Sequence, residues 1–256
     1  MKKIRIGLVS YLNTLPFVHA INMMKKEQTK WDIETIETYP SNCTRLFQQN
    51  KIDIGIIPVG GLPQLNNEYK IVSDFCLGAN QSVDSVLLLS YHPLKEIDTI
   101  LLDYQSNTSV LLTKILSKYF WHITPKWQEA VQGFENNIRD KTAGVVIGDR
   151  TFSLKNNFPH VYDLALEWYQ FQKLPFVFAL WVANLKLPEP FIKDFNLFLE
   201  KGIKEIPEAF DLFKNNYHLT INRDTALNYL TKKMAYHYSS AMQNSKDKFL
   251  SFLNDI

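Results

Sequence analysis

Residues 52–58 read Ile52-Asp53-Ile54-Gly55-Ile56-Ile57-Pro58, a short apolar run typical of a strand that is buried on both faces. Strands are also predicted before it, over residues 4–9 and 33–39. Helices are predicted between the strands, over residues 15–26 and 41–49. This β-α-β-α-β order predicts a parallel sheet with right-handed crossovers.

The same order recurs in the middle of the chain. It consists of strands over 99–102, 124–127 and 143–147 and helices over 108–120 and 129–139. Extended stretches at 83–90 and 175–183 lead into and out of this unit, and the chain after Pro188 reads as helical, with Ile192, Phe195, Leu199 and Ile203 on one face. Two crossings between two α/β units predict a two-lobed α/β protein with mostly parallel sheets. The first lobe is expected to comprise residues 1–84 plus 180–256, and the second residues 85–179.

The composition is that of a globular protein, with 46% hydrophobic and 21% charged residues among 256. The formal net charge of +2 gives no electrostatic reason to expect nucleic acid as a partner. The apolar run at the N-terminus is too short for a secretory signal, and no stretch is long enough to insert into a membrane. We therefore expect a cytoplasmic protein. Cys43 and Cys76 have no metal-ligand spacing and are interpreted as small buried apolar residues.

Polar side chains cluster where the predicted strands end and the helices begin. Ligands of open α/β sheets bind beyond the carboxyl ends of the strands, and the free N–H groups of helix N-termini favour carboxylate or phosphate. The candidates for substrate binding at these positions are Ser10, Tyr11, Thr14, Ser41, Asn42, Ser106, Thr108, Ser109, Gly148 and Asp149. Ser, Thr and Asn are also the preferred helix caps, so capping explains each cluster taken alone equally well. Asn13 or Thr14 is expected to cap the first helix, and Ser41 the second.

Motifs for nucleotide-phosphate binding, zinc proteolysis and serine hydrolysis do not occur in the sequence. The six histidines are scattered, without metal-ligand spacing, and we expect neither a metal nor an organic cofactor. Asp103 and Asp149 lie at strand ends, where an aspartate serves as a base or as a loop cap. From the residues alone, the sequence predicts a cleft that binds a small anion.

Seven segments, in this order, resemble the chorismate dehydratase family of the futalosine route to menaquinone. They are IGLVSYLNTLPF at 6–17, DIGIIP at 53–58, SVLLLS at 85–90, Leu102-Asp103 leading to Thr108-Ser109, IGD at 147–149, DLALEW at 163–168 and LPFVFALW at 174–181. The resemblance spans nearly the whole chain and implies a type II periplasmic-binding-protein-like fold with a ligand cleft between its lobes. Gln81-Ser82-Val83 and Tyr104-Gln105 depart from the pattern expected of the family.

The resemblance also implies an activity, a hydro-lyase that removes water from chorismate to give 3-[(1-carboxyvinyl)oxy]benzoate. It implies Asn13 and Ser85 as the catalytic residues nearest the chemistry. The proton is then accepted by a carboxylate of the substrate, by Asp103 or by Asp149. Two alternatives stay open: the sister enzyme that forms dihydroxynaphthoate, expected to use a catalytic histidine, and a non-catalytic cytoplasmic protein that binds a small carboxylate. The sequence leaves monomer and homodimer equally open.

Overall fold

The computed structural model describes residues 3–27, 31–65, 68–214 and 221–256. The strands of the first sheet are β1 (Lys3–Val9), β2 (Asp32–Thr38), β3 (Ile54–Pro58), β4 (Tyr69–Ala79), β10 (Phe176–Asn184) and β11 (Ala235–His237). Their spatial order is β11-β4-β10-β3-β1-β2. The strand β3, quoted above, is buried along its whole length, as its unbroken apolar sequence predicts.

The second sheet contains the strands β5 (Val86–Ser90), β6 (Thr99–Leu102), β7 (Lys126–Glu129), β8 (Thr142–Ile147) and β9 (His160–Asp163). Their spatial order is β7-β6-β8-β5-β9. These strands come from residues 86–163, whereas those of the first sheet come from residues 3–79 and 176–237. The lobe boundaries at residues 84 and 180 stay a prediction.

Helices cover both sheets. They are α1 (Leu15–Lys26), α2 (Pro40–Gln48), α3 (Asn107–Leu116), α4 (Arg150–Leu154), α5 (Leu164–Gln172), α6 (Glu189–Lys204), α7 (Ile206–Phe213), α8 (Arg223–Asn228) and α9 (Ser240–Phe252). Two of them continue into π-helical turns, α3 into Ser117–Trp121 and α8 into Tyr229–Lys233. The predicted apolar face of α6 is confirmed, since Phe195 and Leu199 are fully buried.

The predicted α/β class is confirmed, but the sheets are mixed and not mostly parallel. β1 pairs in parallel with β2 and β3, and β6 pairs in parallel with β7 and β8. The strands of the two crossing segments run the other way: β10 is antiparallel to β3 and β4, and β5 is antiparallel to β8 and β9. The chain crosses to the second sheet through β5 and returns to the first sheet through β10. Each of these two strands is antiparallel to its neighbours from the β-α-β units, β8 and β3 respectively.

Two details of the sequence interpretation are wrong. The helix predicted over 129–139 is not formed, because Ala130 N–H extends the pairing of β7 by donating to Leu102 O, and Gly133 then turns the chain at φ 84°. Only a 3-10 turn, Phe134–Asn137, follows. Ser41 is not the cap of α2, because that helix begins one residue earlier, at Pro40.

A buried carboxylate joins three strands of the first sheet. The Arg5 backbone N–H and Nε donate to Asp53 Oδ2 at 2.9 and 3.0 Å, and Arg5 Nη2 lies 3.0 Å from Asp53 Oδ1. Asn184 Nδ2, at the end of β10, donates to the same carboxylate at 3.2 Å. Asp53, which opens the DIGIIP segment, thus fixes β1, β3 and β10 side by side.

We expect Asp53→Ala to lower the free energy of unfolding by about 2–3 kcal/mol. This is less than the roughly 3–5 kcal/mol typical of a fully buried pair, because Arg5 still reaches water. Asp32→Ala, an exposed aspartate on the neighbouring strand β2, is the matched control and should change stability by less than about 0.5 kcal/mol. Urea unfolding of the two variants makes the comparison. Equal stability of both would contradict the role given to Asp53.

Candidate functional site

A small cavity lies between the two sheets. Its lining comes from both sides, from the ends of β1, β3, β5, β8 and β10 and from the first turn of α3. The lining residues are Val9, Tyr11, Asn13, Pro40, Ile56, Pro58, Leu77, Val83, Ser85, Val86, Ser106, Thr108, Ser109, Ile147, Gly148, Phe178, Ala179 and Met234. Its water-accessible volume is about 50 Å³, room for a few water molecules. A ring-sized ligand therefore enters only when the lining moves apart.

Asn13 is a polar residue of the cavity lining. It lies in the 3-10 turn Leu12–Thr14 that follows β1, and its backbone carbonyl accepts a hydrogen bond from Tyr236 Oη at 3.0 Å. The side-chain oxygen is buried and has no hydrogen-bond partner among the described residues. Because leaving a buried amide unpaired is costly, this side chain is positioned for a polar group of a ligand.

Ser85 lies just before β5 and is only 2% exposed. Its carbonyl accepts from Gly148 N–H at 2.9 Å, and its hydroxyl lies 2.8 Å from Tyr229 Oη. Asn13 and Ser85, predicted from the resemblance, thus line the same cavity. Tyr229 and Tyr236, which fix them, were not predicted, because neither lies in a segment that carries the resemblance.

The start of α3 supplies three further hydroxyl side chains of the cavity, those of Ser106, Thr108 and Ser109. Ser106 is the helix cap, and its Oγ accepts from Ser109 N–H at 3.0 Å. Thr108 has a different role: its hydroxyl accepts from Gly60 N–H and donates to Phe178 O, both at 3.0 Å. Thr108 therefore connects elements on the two sides of the cavity, and Ser106 and Ser109 are the hydroxyls better placed to meet a ligand.

Tyr11 closes the cavity on one side. Its ring lies against Gly148, which has φ 75°, and a Cβ at that position would come within 2.8 Å of the ring. Tyr11 Oη donates to Gln105 Oε1, which also accepts from Arg150 Nη2 at 3.2 Å. Burial raises the pKa of Tyr11 well above its usual value, so the phenol stays neutral. Beyond Tyr11 lies an open depression of about 480 Å³.

Five predicted binding residues do not line the cavity. Ser10 Oγ donates to Glu37, and Thr14 Oγ1 donates to the carbonyls of Val9 and Tyr11. Ser41 contacts the second lobe, because its N–H donates to Gln105 O and its hydroxyl to Tyr104 O, each at 3.0 Å. Asn42 Nδ2 donates to Thr38 Oγ1 at 2.7 Å. The fifth is Asp149.

Asp103 and Asp149, the two candidate bases, are both engaged in holding the structure. Asp103 accepts from the N–H groups of Gln105 and Ile147 at 3.0 and 3.1 Å and pairs with Arg150. Asp149 accepts from Leu12 N–H, at 3.0 and 3.1 Å to its two oxygens, and so connects the second sheet to the turn that carries Asn13. Burial raises the pKa of Asp149 to about 6, although the Leu12 N–H opposes the shift.

Solved structures define the class of protein. A protein from Archaeoglobus fulgidus matches with a TM-score of 0.80 at 15% identity, over 98% of this chain and 97% of that one. A Candida albicans gene product described as having the generic periplasmic-binding-protein fold matches with 0.70 at 12% identity, over 98% and 90%. The chain therefore has the periplasmic-binding-protein fold, with its cavity between the two sheets.

The sequence comparison identifies the family within that class. The family described as "Menaquinone biosynthesis" matches residues 4–255, and the chain belongs to it. A Thermus thermophilus protein named chorismate dehydratase is 24% identical over 208 residues, which are 74% of this chain and 73% of that protein.

The described residues contain no group of three or more His, Cys, Asp or Glu side chains placed to hold a metal ion. In the same part of the chain, no helix has both the length and the apolar character needed to cross a bilayer. Cys43 and Cys76 are buried free thiols, as their interpretation as small apolar residues predicts.

The raised pKa of Asp149 predicts a pH-dependent difference in stability. Folding disfavours the ionised carboxyl, so this group lowers the free energy of unfolding as the pH rises from about 4 to above 6. Asp149→Asn keeps an oxygen for the Leu12 N–H but does not titrate. We expect its stability relative to wild type to increase by on the order of 2 kcal/mol between pH 4 and pH 7 in urea unfolding.

Asn156→Ala, an exposed substitution that changes no ionisable group, is the control, and its difference from wild type should be nearly constant over the same pH range. A constant difference for Asp149→Asn as well would contradict the raised pKa.

Proposed function

We propose that this protein is a chorismate dehydratase, which removes water from chorismate to give 3-[(1-carboxyvinyl)oxy]benzoate, the first step of the futalosine route to menaquinone. The observation that carries the proposal is a small, mostly apolar cavity lined by both Ser85 and Asn13, whose buried side-chain oxygen has no hydrogen-bond partner among the described residues. Family membership and the Thermus thermophilus relative of that name support it.

The reaction is a 1,2-elimination on the ring. The C–H bond at the carbon that bears the enolpyruvyl ether breaks, and its electron pair forms a ring double bond. The C–O bond to the neighbouring hydroxyl breaks, and the hydroxyl leaves with a proton as water. Because the product ring is aromatic, the elimination is strongly downhill, and the protein needs chiefly to orient the substrate and exclude water.

Different residues of the lining suit different parts of such a substrate. The hydroxyls of Ser106 and Ser109, at the positive end of α3, suit a carboxylate. Apolar side chains such as Ile56, Leu77 and Phe178 suit the faces of the ring. The amide of Asn13 and the hydroxyl of Ser85 are then available for the departing hydroxyl and the charge that develops during elimination.

The base in this proposal is a carboxylate of the substrate. Among the described residues that line the cavity, the only titratable side chain is that of Tyr11, and its phenol is held neutral. Asp103 and Asp149 lie outside the lining, with their oxygens already accepting hydrogen bonds. A substrate that carries two carboxylates brings its own base into the dry cavity.

The described histidines favour this activity over that of the dihydroxynaphthoate-forming sister enzyme. That enzyme is expected to use a catalytic histidine, whereas none of the described histidines (His19, His92, His122, His160 and His237) lines the cavity. His218 lies outside the described residues.

We expect the purified protein to convert chorismate to a product lighter by one water, with the ultraviolet spectrum of a substituted benzoate. Asn13→Ala should lower kcat by about 100-fold or more, because it removes a group expected to stabilise the transition state. Mass spectrometry of the product and initial rates from absorbance give the comparison.

Asn156→Ala, an exposed amide in a surface turn, is the matched control and should retain the wild-type rate. If wild-type protein binds chorismate and returns it unchanged, the dehydratase proposal is wrong, and the protein is better described as a binding protein for a small carboxylate.

A further inference from the structure

We propose that Tyr229 is the positioning residue for Ser85: its hydroxyl donates to Ser85 Oγ and so directs the Ser85 proton into the cavity. The inference rests on the proposed dehydratase function and extends it to a side chain outside the segments that carry the family resemblance.

The contact between the two hydroxyls is short and buried. Tyr229 Oη lies 2.8 Å from Ser85 Oγ, and the two residues are 3% and 2% exposed. Ser85 lines the cavity, whereas Tyr229 lies behind it and is absent from the lining. Since Ser85 has one proton, accepting from Tyr229 leaves that proton for a partner on the cavity side.

The π-helical turn Tyr229–Lys233 holds this contact in place. Lys233, at its other end, donates to Ser82 Oγ at 2.9 Å and lies 3.5 Å from the Asp84 carboxylate. The turn thus contacts the connection between β4 and β5 at three residues, the last of which is Ser85. Turns of this kind are frequent at functional sites, since they change the direction in which a side chain leaves a helix.

The surroundings of the Tyr229 ring fix its orientation and its protonation. The ring packs edge-on against Phe152 of α4, with 4.9 Å between the ring centroids. Burial raises the pKa of Tyr229 far above its usual value, so the phenol is protonated at neutral pH. A neutral phenol donates readily to an aliphatic hydroxyl, and the described residues give Tyr229 Oη no other hydrogen-bond partner.

A double-mutant cycle tests the pair, with Tyr229→Phe, Ser85→Ala and the double variant assayed on chorismate. Tyr229→Phe removes only the hydroxyl. We expect it to lower kcat about tenfold with little change in KM in the wild-type background, and to have less than about a twofold effect in the Ser85→Ala background. Tyr162→Phe is the matched control, because Tyr162 lies in β9, outside the cavity lining, and its hydroxyl accepts from Leu94 N–H, and it should retain the wild-type kcat.

Equal losses from Tyr229→Phe in both backgrounds, or no loss in the wild-type background, would overturn the inference, because a general structural role does not depend on Ser85. The melting temperatures of all variants are measured alongside the rates. If wild-type protein binds chorismate without converting it, the proposed function fails separately, and chorismate affinities then replace the rates in the same cycle. Additive affinity losses would still overturn the pairing, and losses that vanish without Ser85 would support it.

Discussion

The cavity depends on hydrogen bonds that join the two sheets around it. Leu12 N–H donates to the Asp149 carboxylate, and Tyr11 Oη donates to Gln105. Thr108 accepts from Gly60 and donates to the carbonyl of Phe178. Because Leu12 and Tyr11 immediately precede Asn13, the contacts that hold the two halves together also place the unpaired amide. The same hydrogen bonds therefore join the two sheets and position Asn13.

This arrangement makes the site nearly free of charge. None of the described lining residues is charged, and Arg150, which lies close by, is paired with both Asp103 and Glu135. In a cavity with room for only a few water molecules, neutral groups such as the Asn13 amide and the Ser85 hydroxyl interact with a developing charge more strongly than they do in water. Burial thus costs free energy, because the polar groups of the protein lose their contact with water. The same loss of water strengthens the interaction of these groups with a substrate.

The sequence was most informative where local pattern decides the structure. The strands at 4–9, 52–58 and 143–147 were predicted from their short apolar runs, and Asn13 and Ser85, both suggested by the resemblance, line one cavity. Features set by distant contacts were missed. The strand β11, which is only three residues long, was not predicted. The helix predicted over 129–139 is not formed, because the chain there continues the pairing of β7 with β6. Ser41 contacts the second lobe and not the cavity, since where its hydroxyl points depends on how the lobes meet.

The central claim is that chorismate loses a ring proton and a hydroxyl within this cavity. The most direct measurement uses chorismate deuterated at the ring carbon that bears the ether, with the mass of the product as the readout. We expect 3-[(1-carboxyvinyl)oxy]benzoate without deuterium, since the bond to that atom is the one that breaks in the proposed elimination. Labelled chorismate returned unchanged, or a product that retains the deuterium, would contradict it.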